Sequence, residues 1–177
     1  TQAKRDTVRR AVQNSWGRAV DLNFFDWGSV VEHNPYEFTI YVSFVNTGRG
    51  WSPYGMVNSV KDSETGEVLG ASNSLDVTNI DTDPLEPNLR LQAIHEFGHS
   101  LGFAHEQERP DNWDGAGNWL YCGKVDQGRK AFPGGTNATP FFDTESIMSY
   151  CAINAQIARG PRLSRGDVFG AQSKYGR

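Results

Sequence analysis

Apolar residues recur at helical spacing at the start of the chain. Val8, Ala11, Val12 and Trp16, with Arg and Gln between them, predict an amphipathic helix from Ala3 to about Ala19. The period then shortens to two: Val20, Leu22 and Phe24 alternate with polar neighbours, which predicts a strand. The clearest strand pattern is "EFTIYVSFV", with Phe38, Ile40, Val42 and Phe44 on one face, "NP" before it and "NTGRG" after it. The segment "GEVLGASNSLDV" has strand character in two pieces around a Gly, and its Ser and Asn content predicts an exposed edge. After the turn-rich "DTDPLEPN", a helix is expected from about Leu89, capped by Asn88, with Leu91, Ala93 and Ile94 on its apolar side, up to Gly102. From Arg109 to Asp143 Gly, Pro, Asn and Asp dominate and no period survives, so loops are expected. A last helix begins at Ser164, with Asp167 as a capping-box acid and Val168, Ala171, Gln172 and Tyr175 on one face.

The 177 residues, 37% hydrophobic and 21% charged, suffice for one domain with a real core. Net charge is −4 and the basic residues are scattered, so neither a nucleic-acid face nor a membrane-surface helix is indicated. A monomer is the expected state. No apolar run approaches the roughly 18 residues of a membrane span, and "TQAKRDTVRRAV" lacks the apolar stretch of a signal peptide. Either the protein is cytosolic or a leader has been removed. Cys122 and Cys151 favour the second option if they form a disulfide, which would close a loop of about 30 residues. Two separate buried thiols are the alternative.

Candidate chemistry concentrates in "HEFGHSLGFAHEQ", which holds His95, His99 and His105, three of the 4 histidines. Four residues apart on a helix, His95 and His99 face one point. Continued helix would carry His105 about 9 Å further along the axis, too far for bonds of about 2.1 Å to a shared ion. Gly102 supplies the escape, a left-handed C-terminal cap that ends the helix and swings the chain back. Three neutral imidazoles make a catalytic zinc shell with a position left for water, and Glu96 stands beside that water as a general base. The pattern H-E-x-x-H-x-x-G-x-x-H has a chance occurrence of about one in a hundred thousand in a chain of this composition, which sets coincidence aside. His33, alone in "VEHNP", reads as a loop histidine, and Tyr36 and Trp51 read as packing residues.

"HEFGHSLGFAH" resembles the extended zinc motif of the metzincin clan of zinc endopeptidases, and "SIMSY", Ser146 to Tyr150, resembles the clan's methionine turn. Within the clan, Glu106, "HEQERPD" and Tyr150 look like the astacins, whose tyrosine is a fifth zinc ligand that swings away to stabilise the transition state. The closing "LSRGDVFGAQSKYG" looks like the C-terminal helix of matrixins, in which an aspartate at the position of Asp167 anchors the methionine turn. Two cysteines in place of the astacins' usual four, the missing first strand, and Gly166 where matrixins carry a second aspartate are departures from both.

The resemblance implies an α+β, zincin-like single domain over residues 1–177. Its N-terminal subdomain, about 1–102, would hold a twisted mixed sheet and two helices. Its loop-rich C-terminal subdomain, about 103–177, would end in a helix. It further implies a secreted endopeptidase, freed of a leader and a pro-segment, that hydrolyses extended protein or peptide substrates with one zinc ion. Met148 would form a floor under the histidines without ligating. An extended substrate would add to a sheet edge, for which Ser74 and Leu75 are the candidates. Arg159 or Arg162 would favour an acidic substrate side chain, or simply face solvent. Calcium could bind near Asp81 and Asp83 or near Asp111 and Asp114, although acidic loops commonly face water. The rival readings are a silent zinc-binding module, against which Glu96 argues, and a zinc hydrolase of non-peptide substrates.

Overall fold

The computed structural model describes residues 1–28, 38–46, 50–56, 58–78, 87–114, 116–123 and 138–177. The first predicted helix forms in two pieces, α1 (Gln2–Asn14) and α2 (Trp16–Ala19). Ser15 makes the break, because its hydroxyl donates to the carbonyls of Ala11 at 2.6 Å and Val12 at 3.2 Å and so competes with the helix ladder. Val8, Ala11 and Val12 are buried, as their spacing requires. Trp16 is fully buried, its Nε1 donates to the Ile94 carbonyl at 2.7 Å, and its ring stacks on Phe103 at 5.5 Å.

The strand expected over Val20, Leu22 and Phe24 does not form. Phe24 and Trp27 instead reach the ring of Phe97, at 6.0 and 5.9 Å, and Trp27 Nε1 closes a local turn on the Phe24 carbonyl. Side-chain packing on one helix, without a neighbouring strand, satisfies this apolar alternation.

Three strands, β1 (Phe38–Val45), β2 (Asn58–Lys61) and β3 (Val68–Thr78), form a mixed sheet in the order β1-β3-β2. Parallel pairing runs from Phe38 opposite Ala71 to Val45 opposite Thr78, and β2 pairs antiparallel with an irregularity between Val60 and Lys61. The segment expected to be an exposed edge is thus one continuous central strand. Its polar residues misled because they are buried and hydrogen-bonded: Asn73 Nδ2 donates to Ser52 Oγ at 3.1 Å and Ser100 Oγ at 2.8 Å, and the Thr78 amide donates to Gln92 Oε1 at 2.8 Å. The clean alternation of β1 belongs, among the described residues, to an edge strand with Phe38 exposed.

Helix α3 (Pro87–Ser100) packs against α1 and β3. It starts before the expected cap, so Asn88 lies inside its first turn, where Pro87 is tolerated for want of an amide partner. It ends as expected at Gly102, with φ +86°. The Gly102 amide donates to the His99 carbonyl at 2.7 Å and the Phe103 amide to the Gly98 carbonyl at 3.0 Å, the two bonds of a Schellman cap.

Beyond His105 the chain runs through two single 3₁₀ turns, Glu106–Glu108 and Pro110–Asn112. Buried amide side chains do the organising here. Asn112 donates to the carbonyls of Gln107 and Cys122 and accepts from the amides of Tyr121 and Cys122. Cys122 and Cys151 form a disulfide, with Cα atoms 6.0 Å apart. A short helix not expected from the sequence, α4 (Ile153–Arg159), follows, and α5 (Arg165–Tyr175) begins with the predicted capping box between Ser164 and Asp167. Tyr175 Oη and Lys174 Nζ donate to the Leu101 carbonyl at 2.6 and 3.2 Å, and Gln172 donates to the Ala19 carbonyl, which fastens α5 across the ends of α3 and α2. Among the described residues no helix is long and apolar enough to cross a membrane.

Candidate metal centre

Helix α3 carries His95 and His99 on one face, and the Gly102 cap returns the chain so that His105 joins them. One ring nitrogen from each lies within 4.8 Å of the others, and all three residues are buried. The opposite nitrogens are engaged. His95 Nδ1 lies 2.8 Å from the Ile147 carbonyl and His99 Nδ1 lies 2.7 Å from the Phe103 carbonyl. A carbonyl only accepts, so each Nδ1 bears the proton and each Nε2 presents a lone pair. His105 Nδ1 lies 3.3 Å from Tyr54 Oη and 3.7 Å from Glu108 Oε1.

His99 Nε2 and His105 Nε2 are 3.0 Å apart. A cation shared by these two nitrogens would be held by the lone pair that His99 Nε2 presents and by His105 Nε2 once its proton sits on Nδ1. Burial pushes the pKa of His95 down to about 4, the nearby His105 adding to the effect, and holds that of His99 well below its ordinary value. Both rings are therefore neutral near pH 7, as metal ligands must be. Buried, neutral, preoriented imidazoles fit a small tetrahedral ion such as zinc.

The supports of this cluster come from several elements. Met148 is buried with its Sδ beneath Gly98, where a Cβ would come within 2.5 Å of the sulfur and 3.1 Å of Trp16. Its turn is held by Asp167, whose carboxylate accepts from Ser146 Oγ at 2.6 Å and from the amides of Ile147 at 2.9 Å and Ser164 at 2.8 Å. The Glu106 amide donates to the Met148 carbonyl at 3.0 Å, which fixes His105 against the same turn. Glu106 Oε1 accepts from the Asp143 amide at 2.7 Å and stands 3.5 Å from Arg109, while burial lifts its pKa to about 7.

Glu96 is buried on α3 beside His95, and its Oε1 occupies the space that a Cβ at Gly50 would take, 2.6 Å from it. Tyr150 lies half-buried over the histidines, its ring centroid 4.4 Å from that of His105 and 6.0 Å from that of His95. Its amide donates to Gln107 Oε1 at 3.0 Å.

Among the described residues, other predicted positions are placed by contacts of their own. Ser74 is exposed, Leu75 is completely buried in the core, and their strand has neighbours on both sides, so the open edge argued for them is missing. Arg159 pairs with Glu145 at 2.7 Å, and Arg162 is exposed. Asp111 is engaged by Arg109 at 2.7 Å, and Asp114 accepts from Ala116 and Asn118 within its own loop. His33, Tyr36, Asp81 and Asp83 lie outside the described residues. Trp51, read as a packing residue, is exposed.

Sequence reasoning missed Tyr54, Glu108, Gly50 and Asn73. Glu108 was within sight, three residues past His105. Tyr54 and Gly50 reach the site through "GRGWSPYG", a loop whose composition carries no period.

The architecture, among the described residues, is a small mixed α/β domain with a three-stranded sheet, and a solved zinc protease shares this fold. High choriolytic enzyme 1, a hatching enzyme zinc-protease from the medaka fish Oryzias latipes, is similar to this chain over 99% of its length and 84% of the enzyme's, with a TM-score of 0.56 and 18% identity. At that identity the likeness is one of fold. No family model matches the chain, and no curated protein matches its sequence.

Proposed function

We propose that this chain is a zinc-dependent endopeptidase of the metzincin type, with an astacin-like zinc site. The observation that carries the reading is the convergence of three buried imidazoles whose Nδ1 atoms are already engaged. His95, His99 and His105 would hold one zinc ion, which supplies Lewis acidity toward a scissile carbonyl and toward water. Glu96 takes the proton of the attacking water on its carboxylate and delivers it to the leaving amine. Tyr150 donates from its hydroxyl to the oxygen that gains negative charge. Gly102, Met148, Glu106 and Asp167 hold this arrangement in shape. The active unit is a single catalytic domain over residues 1–177, acting as a secreted monomer on protein or peptide substrates. A disulfide suits an oxidising compartment.

Cleavage of casein tests the reading. Purified protein should bind one zinc per chain, cleave casein, and stop when a chelator removes the ion. His105→Ala should lose metal affinity and activity together, because two protein ligands remain. A zinc-loaded protein that leaves casein intact would overturn the endopeptidase reading.

A further inference from the structure

The three histidines are not held alike. His95 and His99 give their Nδ1 protons to main-chain carbonyls, which no substitution removes. His105 faces side chains instead. Tyr54 Oη lies 3.3 Å from its Nδ1 and 3.1 Å from Glu108 Oε2, and Glu108 Oε1 lies 3.7 Å from the same nitrogen. Glu108 is 1% exposed. The phenol that donates to this buried carboxylate turns its oxygen lone pairs toward the imidazole.

Tyr54 is placed there by structure from the N-terminal half. Asn73 on the central strand donates to the Pro53 carbonyl at 3.3 Å and to Ser52 Oγ at 3.1 Å, and Ser52 Oγ lies 3.2 Å from Ser100 Oγ at the end of α3. The Gly55 amide donates to the His99 carbonyl at 2.7 Å. Tyr54 is thus pinned on both flanks, and its ring rests on His99 at 4.8 Å between centroids.

We propose that Tyr54 and Glu108 form a relay that positions His105 as a metal ligand, with Nδ1–H of His105 donating to Tyr54 Oη and Tyr54 donating to Glu108. The relay rests on the metal reading above. It fixes the ring plane of the one ligand that lies outside α3 and the tautomer that leaves its Nε2 free to bind a metal, because an acceptor polarised by a carboxylate holds the Nδ1 proton in place. Tyr54 and Glu108 act through His105 and are positioning residues.

Zinc affinity of the full chain, measured by competition with a chromophoric chelator, tests the relay. Tyr54→Phe keeps the ring on His99 and removes only the hydroxyl, and it should weaken zinc binding about 10- to 100-fold. The melting temperature of its zinc-free form should stay close to that of the native zinc-free protein, which a purely structural tyrosine would not allow. Glu108→Gln should weaken zinc to a similar extent, with Glu108→Asp in its place if the amide prevents folding. Because either change breaks the same chain, the double variant should be hardly weaker than the singles. The visible spectrum of the cobalt(II)-loaded protein should also shift in Tyr54→Phe. Native zinc affinity in Tyr54→Phe, or losses that add fully in the double variant, would overturn the relay while leaving the metal centre standing. A native chain that binds no zinc would overturn the metal centre itself, and the relay with it.

Discussion

Glu96 and Tyr150 separate chemistry from metal binding at the level of single residues. Glu96→Gln keeps the shape of the side chain and every histidine, so zinc content should be unchanged while casein cleavage falls by about three orders of magnitude or more. A metal-loaded variant that still cleaves would remove the base from the mechanism. For Tyr150 the contrast is between catalysis and packing over His105. Phe preserves the packing, so a loss of about ten- to a thousandfold in kcat with KM little changed would place the hydroxyl at the developing oxyanion, and equal kcat would leave Tyr150 an aromatic cover. The convergence of the three histidines was legible in the sequence because their spacing is the geometry of one helix and its cap. Tyr54 was not, because its approach to His105 depends on Asn73 and Ser52, which are distant in sequence from the motif.

At the scale of elements, α3 is limited by what lies beneath it. A Cβ at Gly98 would meet both Met148 Sδ and the rigid ring of Trp16. Gly98→Ala should therefore destabilise the fold by about 1–3 kcal/mol, despite alanine's better helix propensity, because overpacking outweighs the backbone gain. Chemical denaturation would read it, and a variant as stable as the native protein would show that Met148 can step aside. Elements with a single period were readable: α1, β1, α3 and α5 lie close to where their patterns put them. The pattern failed where one alternation could serve two purposes. Val20, Leu22 and Phe24 carry a strand's period, yet they flank a segment whose aromatic rings close on Phe97. The polar β3 looked like an edge and is the middle of the sheet, because its Ser and Asn find partners inside. Helix α4 is only two turns long, with Gln156 its one buried side chain and Ile157 partly packed on the core, too short a stripe to announce a helix.

For the molecule as a whole, stability of the irregular half depends on covalent and polar ties more than on apolar layers. The Cys122–Cys151 bridge spans 29 residues, and in the chain-entropy model opening it costs about 3–4 kcal/mol. Replacing both cysteines by alanine should lower the urea midpoint accordingly, while the part of the core built by Trp16, Leu89 and Ile94 keeps its packing. A midpoint equal to that of the native protein would mean that the hydrogen bonds of Asn112 already hold the region closed. Two alkylatable thiols in the folded native protein would remove both the bridge and the case it makes for an oxidising compartment.

The position of Asp167 sets an order of events during synthesis. The chain acquires its histidines, and then the methionine turn, well before the carboxylate that ties down Ser146 and Ile147 has been made. Until α5 arrives and docks on the ends of α3 and α2, that turn lacks the carboxylate that accepts from Ser146 and Ile147, and it is held by its ties to Glu106, Gln107 and His95. A nascent chain can therefore possess every metal-binding side chain and still lack one support of the site. The tie from α5 is thus made later in synthesis than every histidine whose floor it helps to shape.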